Sequence, residues 1–310
     1  MAGRTGFEGM VVVAEIRLYQ QDCIAGMREH VADGSVSLVV TSPPYNLGVE
    51  YNGYDDSQSR RDYLEWMGRW MAEVKRVLAE DGSLFFNVGC KPTDLMVPFQ
   101  LLAVALEHFE LQNVIHWVKS IAILKSEVGD YPGITQDVVV GHYKPINSER
   151  FLNDCQEYIF HLTKHGDVKL DRLAVGVPYQ DKTNVARWSK ANGGMHCRGN
   201  TWFIPYETIQ RRDRDRPHPA TFPSRLPEQC LKLHGLSRVE LAMDPFTGLG
   251  STAVACARLG VDFVGSEIDE SYLEQAVART RAAVLDVARK PRKARLQYEK
   301  TKGAPALLLG

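Results

Sequence analysis

Residues 241–260, LAMDPFTGLGSTAVACARLG, place Gly248 and Gly250 between an apolar strand signal and a helix signal. Glycines at such a junction permit a tight turn and let the backbone approach a ligand closely. A second strand signal follows at Asp262–Gly265. Strand, glycine turn, helix and strand form a βαβ unit, which needs a parallel sheet covered by helices.

The same alternation runs through the first part of the chain. Strand signals at Val11–Tyr19, Val36–Thr41, Ser83–Val88 and Val114–Val118 are separated by helix signals at Cys23–Val31, Asp62–Leu78 and Leu95–Phe109, with Asp81-Gly82 as a turn into the third strand. It returns after residue 215. Leu226, Cys230 and Leu233 fall at helical spacing, with Pro227 suited to a first turn, and Val239–Met243, Ser251–Leu259 and Ser271–Val287 continue strand, helix and helix. Residues 120–215 break the rhythm. They mix short β-like runs (Val138–Val140, Tyr158–Leu162) with turn-rich polar stretches and read as an insert or a second small domain. Residues 289–310 begin rich in Lys and Arg and read as a basic tail.

Composition narrows the class. With 24% charged and 44% hydrophobic residues the chain is globular. A net charge of −1 means that a polyanion partner must be met by a local basic surface. The six cysteines contain no C-x-x-C pair, which predicts reduced, mostly buried thiols and no structural metal site. No apolar run is long enough to span a membrane and no signal-peptide layout opens the chain, so it reads as cytoplasmic.

No Lys follows the glycines as a phosphate-gripping loop requires. The spacing formally fits the dinucleotide fingerprint through Ala253, with Glu267 at the end of the next strand, and a plain strand–helix connection also remains open. Glu267 can accept both ribose hydroxyls of an adenosine. Asp244, beside the glycines, would repel a pyrophosphate and suits a cofactor bearing an amino group and a sulfonium, which points to S-adenosylmethionine.

D-P-F-T-G-L-G-S-T at 244–252, G-S-E-I-D at 265–269 and T-S-P-P-Y at 41–45 together resemble the amino-group DNA methyltransferases, and their order resembles the β class of that family. The resemblance covers roughly 15–120 and 200–285. It implies a Rossmann-like, seven-stranded, mostly parallel sheet, circularly permuted, with an inserted target-recognition region. The implied organisation is a catalytic half at 11–120, a recognition insert at 121–215, a cofactor half at 216–288 and the tail. The cofactor loop is then Asp244, Phe246, Thr247, Gly248, Gly250, Ser251 and Thr252; Glu267 resembles the ribose-binding acid and Ile268 the residue packed on adenine. Asp22 stands where the family has an acid near the adenine amino group. His218, Phe222, Pro223 and Ser224 are similar to the segment holding the methionine end of the cofactor. No metal is implied.

Ser42, Pro43, Pro44 and Tyr45 close the second strand signal. An exocyclic amino group is a poor nucleophile because its lone pair is delocalised into the ring. Acceptors aimed at its two N–H bonds localise that pair; the Ser42 hydroxyl and Pro43 carbonyl could supply them, held still by the prolines. Tyr45 could stack on a base flipped out of double-stranded DNA. Attack at cytosine C5 would need a Pro-Cys nucleophile, and the sequence has no such dipeptide. In the family, S-P-P-Y is associated with cytosine N4 and D-P-P-Y with adenine N6, so Ser42 leans toward cytosine, with adenine N6 as the alternative.

Phosphate contacts would come from Lys119, Lys125, Lys182, Arg187, Lys190, Arg198, Arg211, Arg212, Arg214, Arg216 or the tail, though each also reads as a solvated surface charge. The resemblance admits a homodimer and a cognate restriction endonuclease. A protein-glutamine or RNA methyltransferase is opposed by the motif order and the insert, and a non-catalytic DNA-binding relative by the intact loops. A dinucleotide oxidoreductase is the most distant reading.

Overall fold

Most of the strand signals assemble into one sheet whose order brings β1, near residue 16, beside β12, near residue 265. The computed structural model describes residues 14–46, 48, 54, 56–141, 148–180, 194–205 and 221–289. In chain order the elements are β1 (Ile16–Gln20), α1 (Cys23–His30), β2 (Val36–Thr41), α2 (Arg60–Val77), β3 (Leu78–Val88), α3 (Val97–Ala105), β4 (Glu110–Val118), β5 (Ser120–Ile123), α4 (Lys125–Val128), β6 (Val138–Gly141), β7 (Gln156–Thr163), β8 (Val177–Pro178), β9 (Met195–His196), β10 (Thr201–Phe203), α5 (Arg225–His234), β11 (Leu241–Asp244), α6 (Ser251–Leu259), β12 (Asp262–Glu267) and α7 (Glu270–Arg289).

The central sheet runs β1-β12-β11-β2-β3-β7-β4-β10. β7 is antiparallel to both neighbours and the other pairings are parallel. The fold is thus α/β with a mostly parallel Rossmann-like sheet, in eight strands rather than the expected seven, the addition being the three-residue edge strand β10. Tyr158–Leu162 does not belong to an appended insert. It lies within β7, between β3 and β4, with Ile159, Phe160 and Leu162 buried. An antiparallel strand needs no crossover helix, so the βαβ rhythm vanished from the sequence while the sheet continued. β5 pairs with β6 and β8 with β9 in two small ribbons outside the sheet.

Leu84, Phe86 and Val88 pack on α1, α2 and α3, whereas Leu38, Val40 and Phe85 pack on α5 and α6. The Asp81-Gly82 turn proves to be an irregularity inside β3, where the register against β2 shifts, and α3 is shorter than its sequence signal. All six cysteines are unbridged, but only Cys23, Cys230 and Cys256 are buried. Among the described residues no helix is long and apolar enough to cross a membrane.

The chain leaves β11 for β12 on one side and leaves β2 for β3 on the other. The carboxyl ends of β11 and β2 therefore flank a topological switch point, where open α/β sheets bind ligands.

Candidate functional site

A cavity opens at that switch point, with about 980 Å³ of space including its mouth. Ser42, Pro43, Pro44 and Tyr45, at the exit of β2, line one side, and Asp244, Phe246, Thr247, Gly248 and Ser251, from the end of β11 to the start of α6, line another. Glu267 and Ile268 at the end of β12, Asp22 at the start of α1, and Phe222 before α5 complete the predicted set that meets here. His218 lies outside the described residues.

Four predicted residues shape the site without lining it. Gly250 adopts a left-handed φ of 75°, and a Cβ there would stand 2.9 Å from the Ala276 Cβ. Thr252 is buried and donates its hydroxyl to Asp244 at 2.8 Å. Pro223 precedes α5, and Ser224 accepts from Arg258 at 2.8 Å, toward α6 rather than the cavity.

Asp244 is engaged more tightly than the sequence suggested. Thr41 Oγ1 donates to it at 2.7 Å, Thr252 Oγ1 at 2.8 Å and the Phe246 N–H at 3.1 Å. Burial pushes its carboxyl up to about 7, against the lowering effect of these donors. Its first task is to join β2, β11 and α6. Glu267 accepts from the Gly248 N–H at 2.8 Å and the Asp269 N–H at 3.0 Å, one on each oxygen, and burial raises its pKa. Each oxygen keeps a second lone pair for a ligand hydroxyl. Asp22 Oδ1 caps α1 through the N–H groups of Ile24 and Ala25. Ile268, 51% exposed, offers an apolar surface, and the Ser251 hydroxyl is buried with no hydrogen-bond partner among the described residues.

The lining carries one sign of charge. Asp22, Asp244, Glu267 and Asp269 line the cavity, and no lysine, arginine or histidine among the described residues does. Such a lining favours a cationic ligand and disfavours a pyrophosphate.

On the β2 side, Tyr63 on α2 donates to the Pro44 carbonyl at 2.7 Å, tying down the proline turn. Ser42 Oγ lies 2.5 Å from the Tyr45 hydroxyl. Asn87, at the end of β3 and 1% exposed, donates to Tyr45 Oη at 2.8 Å and to Glu157 Oε2 at 2.7 Å. Lys119 pairs with Glu157 at 3.1 Å and approaches Asp154 at 4.0 Å; burial opposes its charge, but the two carboxylates raise its pKa. Sequence reasoning missed Asn87 and Glu157. The available signal was a polar side chain ending an apolar strand in Phe85-Phe86-Asn87-Val88-Gly89.

The proposed phosphate ligands fare differently from their sequence reading. Lys119 is held half-buried in this ion pair, Lys125 Nζ donates to the Gly129 carbonyl, and Arg198 Nε donates to the Val175 carbonyl at 2.9 Å. Each serves the protein's own structure. Lys182, Arg187, Lys190, Arg211, Arg212, Arg214, Arg216 and residues 290–310 lie outside the described residues.

Known proteins resemble this chain in sequence and in fold. The family model described as DNA methylase (N6_N4_Mtase) matches residues 36–278. Type II methyltransferase M.ScaI of Streptomyces caespitosus is 31% identical over 286 residues, covering 87% of this chain and 82% of that protein. DNA adenine methyltransferase YhdJ of Escherichia coli (strain K12) is 25% identical over 268 residues, covering 86% and 81%. Among solved structures, PvuII DNA methyltransferase (cytosine-N4-specific) superposes with a TM-score of 0.59 at 17% identity, covering 89% of this chain and 92% of that one. The M1.HpyAVI–SAM complex does so with a TM-score of 0.50 at 18% identity, covering 85% and 99%. The family match over most of the length and the relative at 31% agree with the motifs and the sheet order: the chain belongs to the N6/N4 amino-group DNA methylase family.

Proposed function

We propose that the protein transfers the methyl group of S-adenosylmethionine to the exocyclic N4 amino group of a cytosine flipped out of double-stranded DNA, by direct in-line transfer. The observation that carries this reading is a single cavity holding both Ser42 and the acid-lined glycine turn, the two joined through Thr41 and Asp244.

The lining fits the cofactor. When bound, S-adenosylmethionine supplies a methyl group on a positively charged sulfur. Glu267 has lone pairs for the ribose hydroxyls, Ile268 an apolar face for adenine, and Asp22 a carboxylate for the adenine amino group. Ser251 has an uncommitted hydroxyl for the polar end of the ligand, Phe222 walls the cavity, and the carboxylates favour the cation. No metal has a role.

Ser42 and the Pro43 carbonyl would accept the N–H bonds of the target amino group and direct its lone pair at the methyl carbon. The tie from Tyr63 to Pro44 keeps these acceptors fixed, so little reorganisation accompanies reaction. The Tyr45 ring would flank the flipped base.

The serine of Ser-Pro-Pro-Tyr favours cytosine N4. Adenine N6 is the second reading, because a 25% identical relative is named as a DNA adenine methyltransferase. Target recognition is assigned to the part of 121–215 outside β7 and β10, and phosphate contacts to basic residues there and in the tail. The Type II names of the relatives support a cognate restriction endonuclease. A homodimer and action in the cytoplasm complete the proposal.

The test is to incubate the protein with labelled S-adenosylmethionine and mixed-sequence DNA, digest, and identify the labelled nucleoside. N4-methylcytosine is expected. N6-methyladenine would transfer the reading to adenine, and absence of label in DNA would contradict both.

A further inference from the structure

Behind Ser42, away from the cofactor side of the cavity, three polar side chains lead into the protein. The Tyr45 hydroxyl is 2.5 Å from Ser42 Oγ, 3.3 Å from Glu157 Oε2 and 3.2 Å from the Asn87 carbonyl. Asn87 Nδ2 is 2.8 Å from Tyr45 Oη and 2.7 Å from Glu157 Oε2. The Glu157 side chain is 11% exposed and its other oxygen faces Lys119 Nζ at 3.1 Å. Gly89 makes this crowding feasible, since a Cβ there would stand 3.1 Å from both the Tyr45 ring and the Glu157 side chain.

The proton directions along this chain follow from its inner end. A carboxylate paired with an ammonium only accepts hydrogen bonds, so Asn87 must present its NH₂ group, and its Oδ1 is left buried without a partner. The second N–H of that amide then points at Tyr45 Oη. The tyrosine proton has acceptors inward, at Glu157 Oε2 and the Asn87 carbonyl. With that proton directed inward, the phenol oxygen accepts the Ser42 proton; Asn87 Nδ2 also lies 3.4 Å from Ser42 Oγ as a long donor, and the hydroxyl, which lines the cavity, keeps an acceptor lone pair for a ligand. Reversing the chain would turn Ser42 into a donor, which repels an amino group.

We infer that Glu157, anchored by Lys119, is a positioning residue that sets the donor–acceptor direction of the Ser42 hydroxyl through Asn87 and Tyr45. The inference rests on the proposed methyl transfer to an amino group and adds to it a residue on β7, far from Ser42 in sequence. Glu157 does not line the cavity; it acts through Ser42.

The test is a double-mutant cycle on single-turnover methyl transfer to DNA, with S-adenosylmethionine affinity measured alongside. Glu157→Gln keeps the size of the side chain and removes its charge. It is expected to lower the transfer rate about 10-fold or more, with cofactor Kd within about twofold of the parent. Because both residues act on one hydroxyl, Glu157→Gln in a Ser42→Ala background should cost less than about threefold further. Tyr45→Phe breaks the same chain and leaves the Glu157–Lys119 ion pair in place, and it replaces Glu157→Gln in the cycle if the latter does not fold. Losses that multiply, or a Glu157→Gln or substituted Tyr45→Phe enzyme as fast as the parent, overturn this role while leaving the reaction intact. An inactive parent overturns the proposed reaction itself, and Ser42→Ala as fast as the parent overturns the role of the Ser42 hydroxyl and with it that of Glu157.

Discussion

The Thr41 hydroxyl donates to the Asp244 carboxylate at 2.7 Å across a separation of 203 residues, immediately before Ser42 and at the first residue of the glycine loop. This buried bond fixes the reacting side of the cavity relative to its cofactor side. Thr41→Val removes the hydroxyl at nearly constant shape and leaves a buried carboxyl short of a donor. It should cost about 1–3 kcal/mol of stability in denaturant titrations. It should also lower transfer turnover more than it weakens cofactor binding; an unchanged stability would show that the bond contributes nothing.

Glu267 holds the Gly248 and Asp269 N–H groups while facing the cavity. Glu267→Ala should raise the Kd for S-adenosylmethionine about 10- to 100-fold, as expected for charge-assisted bonds. At saturating cofactor the single-turnover rate should stay within about threefold of the parent. Calorimetry and rapid-quench measurements separate the two effects.

Gly250 and Gly260 bracket α6 with φ values of 75° and 70°, but their surroundings differ. A Cβ at Gly250 meets the Ala276 Cβ at 2.9 Å, whereas one at Gly260 meets nothing within 4 Å. Gly260→Ala should therefore show only backbone strain, about 1 kcal/mol, and Gly250→Ala about 2–3 kcal/mol. Equal losses would place the whole effect in the backbone.

A buried polar cluster predicts a pH dependence. Ser83 Oγ lies 3.0 Å from His161 Nε2 and 3.0 Å from His234 Nδ1. Burial lowers His161 to about 3, with His234 adding to the effect. Burial and the Arg238 charge lower His234 to about 4, against Asp81. Between these values and the ordinary 6.5 the unfolded chain binds protons that the folded protein refuses. Their contribution is therefore complete above pH 6.5 and is lost as pH falls toward 4 and 3. Asp244 acts in the opposite sense, because its raised carboxyl favours the folded state below about 7. His234→Asn, which can replace the Nδ1 acceptor, isolates one histidine. Its stability should fall with acid by ~1.4 kcal/mol per pH unit less than the parent's in that window. Parallel curves would contradict the assignment.

What was legible in the sequence follows from what is local. The glycine turn, the proline exit of β2 and the helix α6 depend on neighbours in the chain, and each was found where its residues predicted. β7 was misplaced because it is antiparallel and carries no crossover helix to mark it. Glu157 and Asn87 meet only because β7 pairs with β3, so no spacing in the sequence could announce them. Lys119 illustrates the converse: as a letter it was a surface charge, and only the approach of Glu157 and Asp154 explains its burial.

The two sides of the cavity divide the labour in the proposed reaction, with Ser42 acting on the amino group and not on the cofactor. The most direct measurement is the single-turnover methyl-transfer rate of Ser42→Ala at saturating S-adenosylmethionine and DNA, paired with the cofactor Kd. The expected rate is about 10²-fold below the parent with Kd within about twofold, the loss typical of a removed transition-state hydrogen bond. A parental rate, or a loss that appears only in Kd, would contradict it.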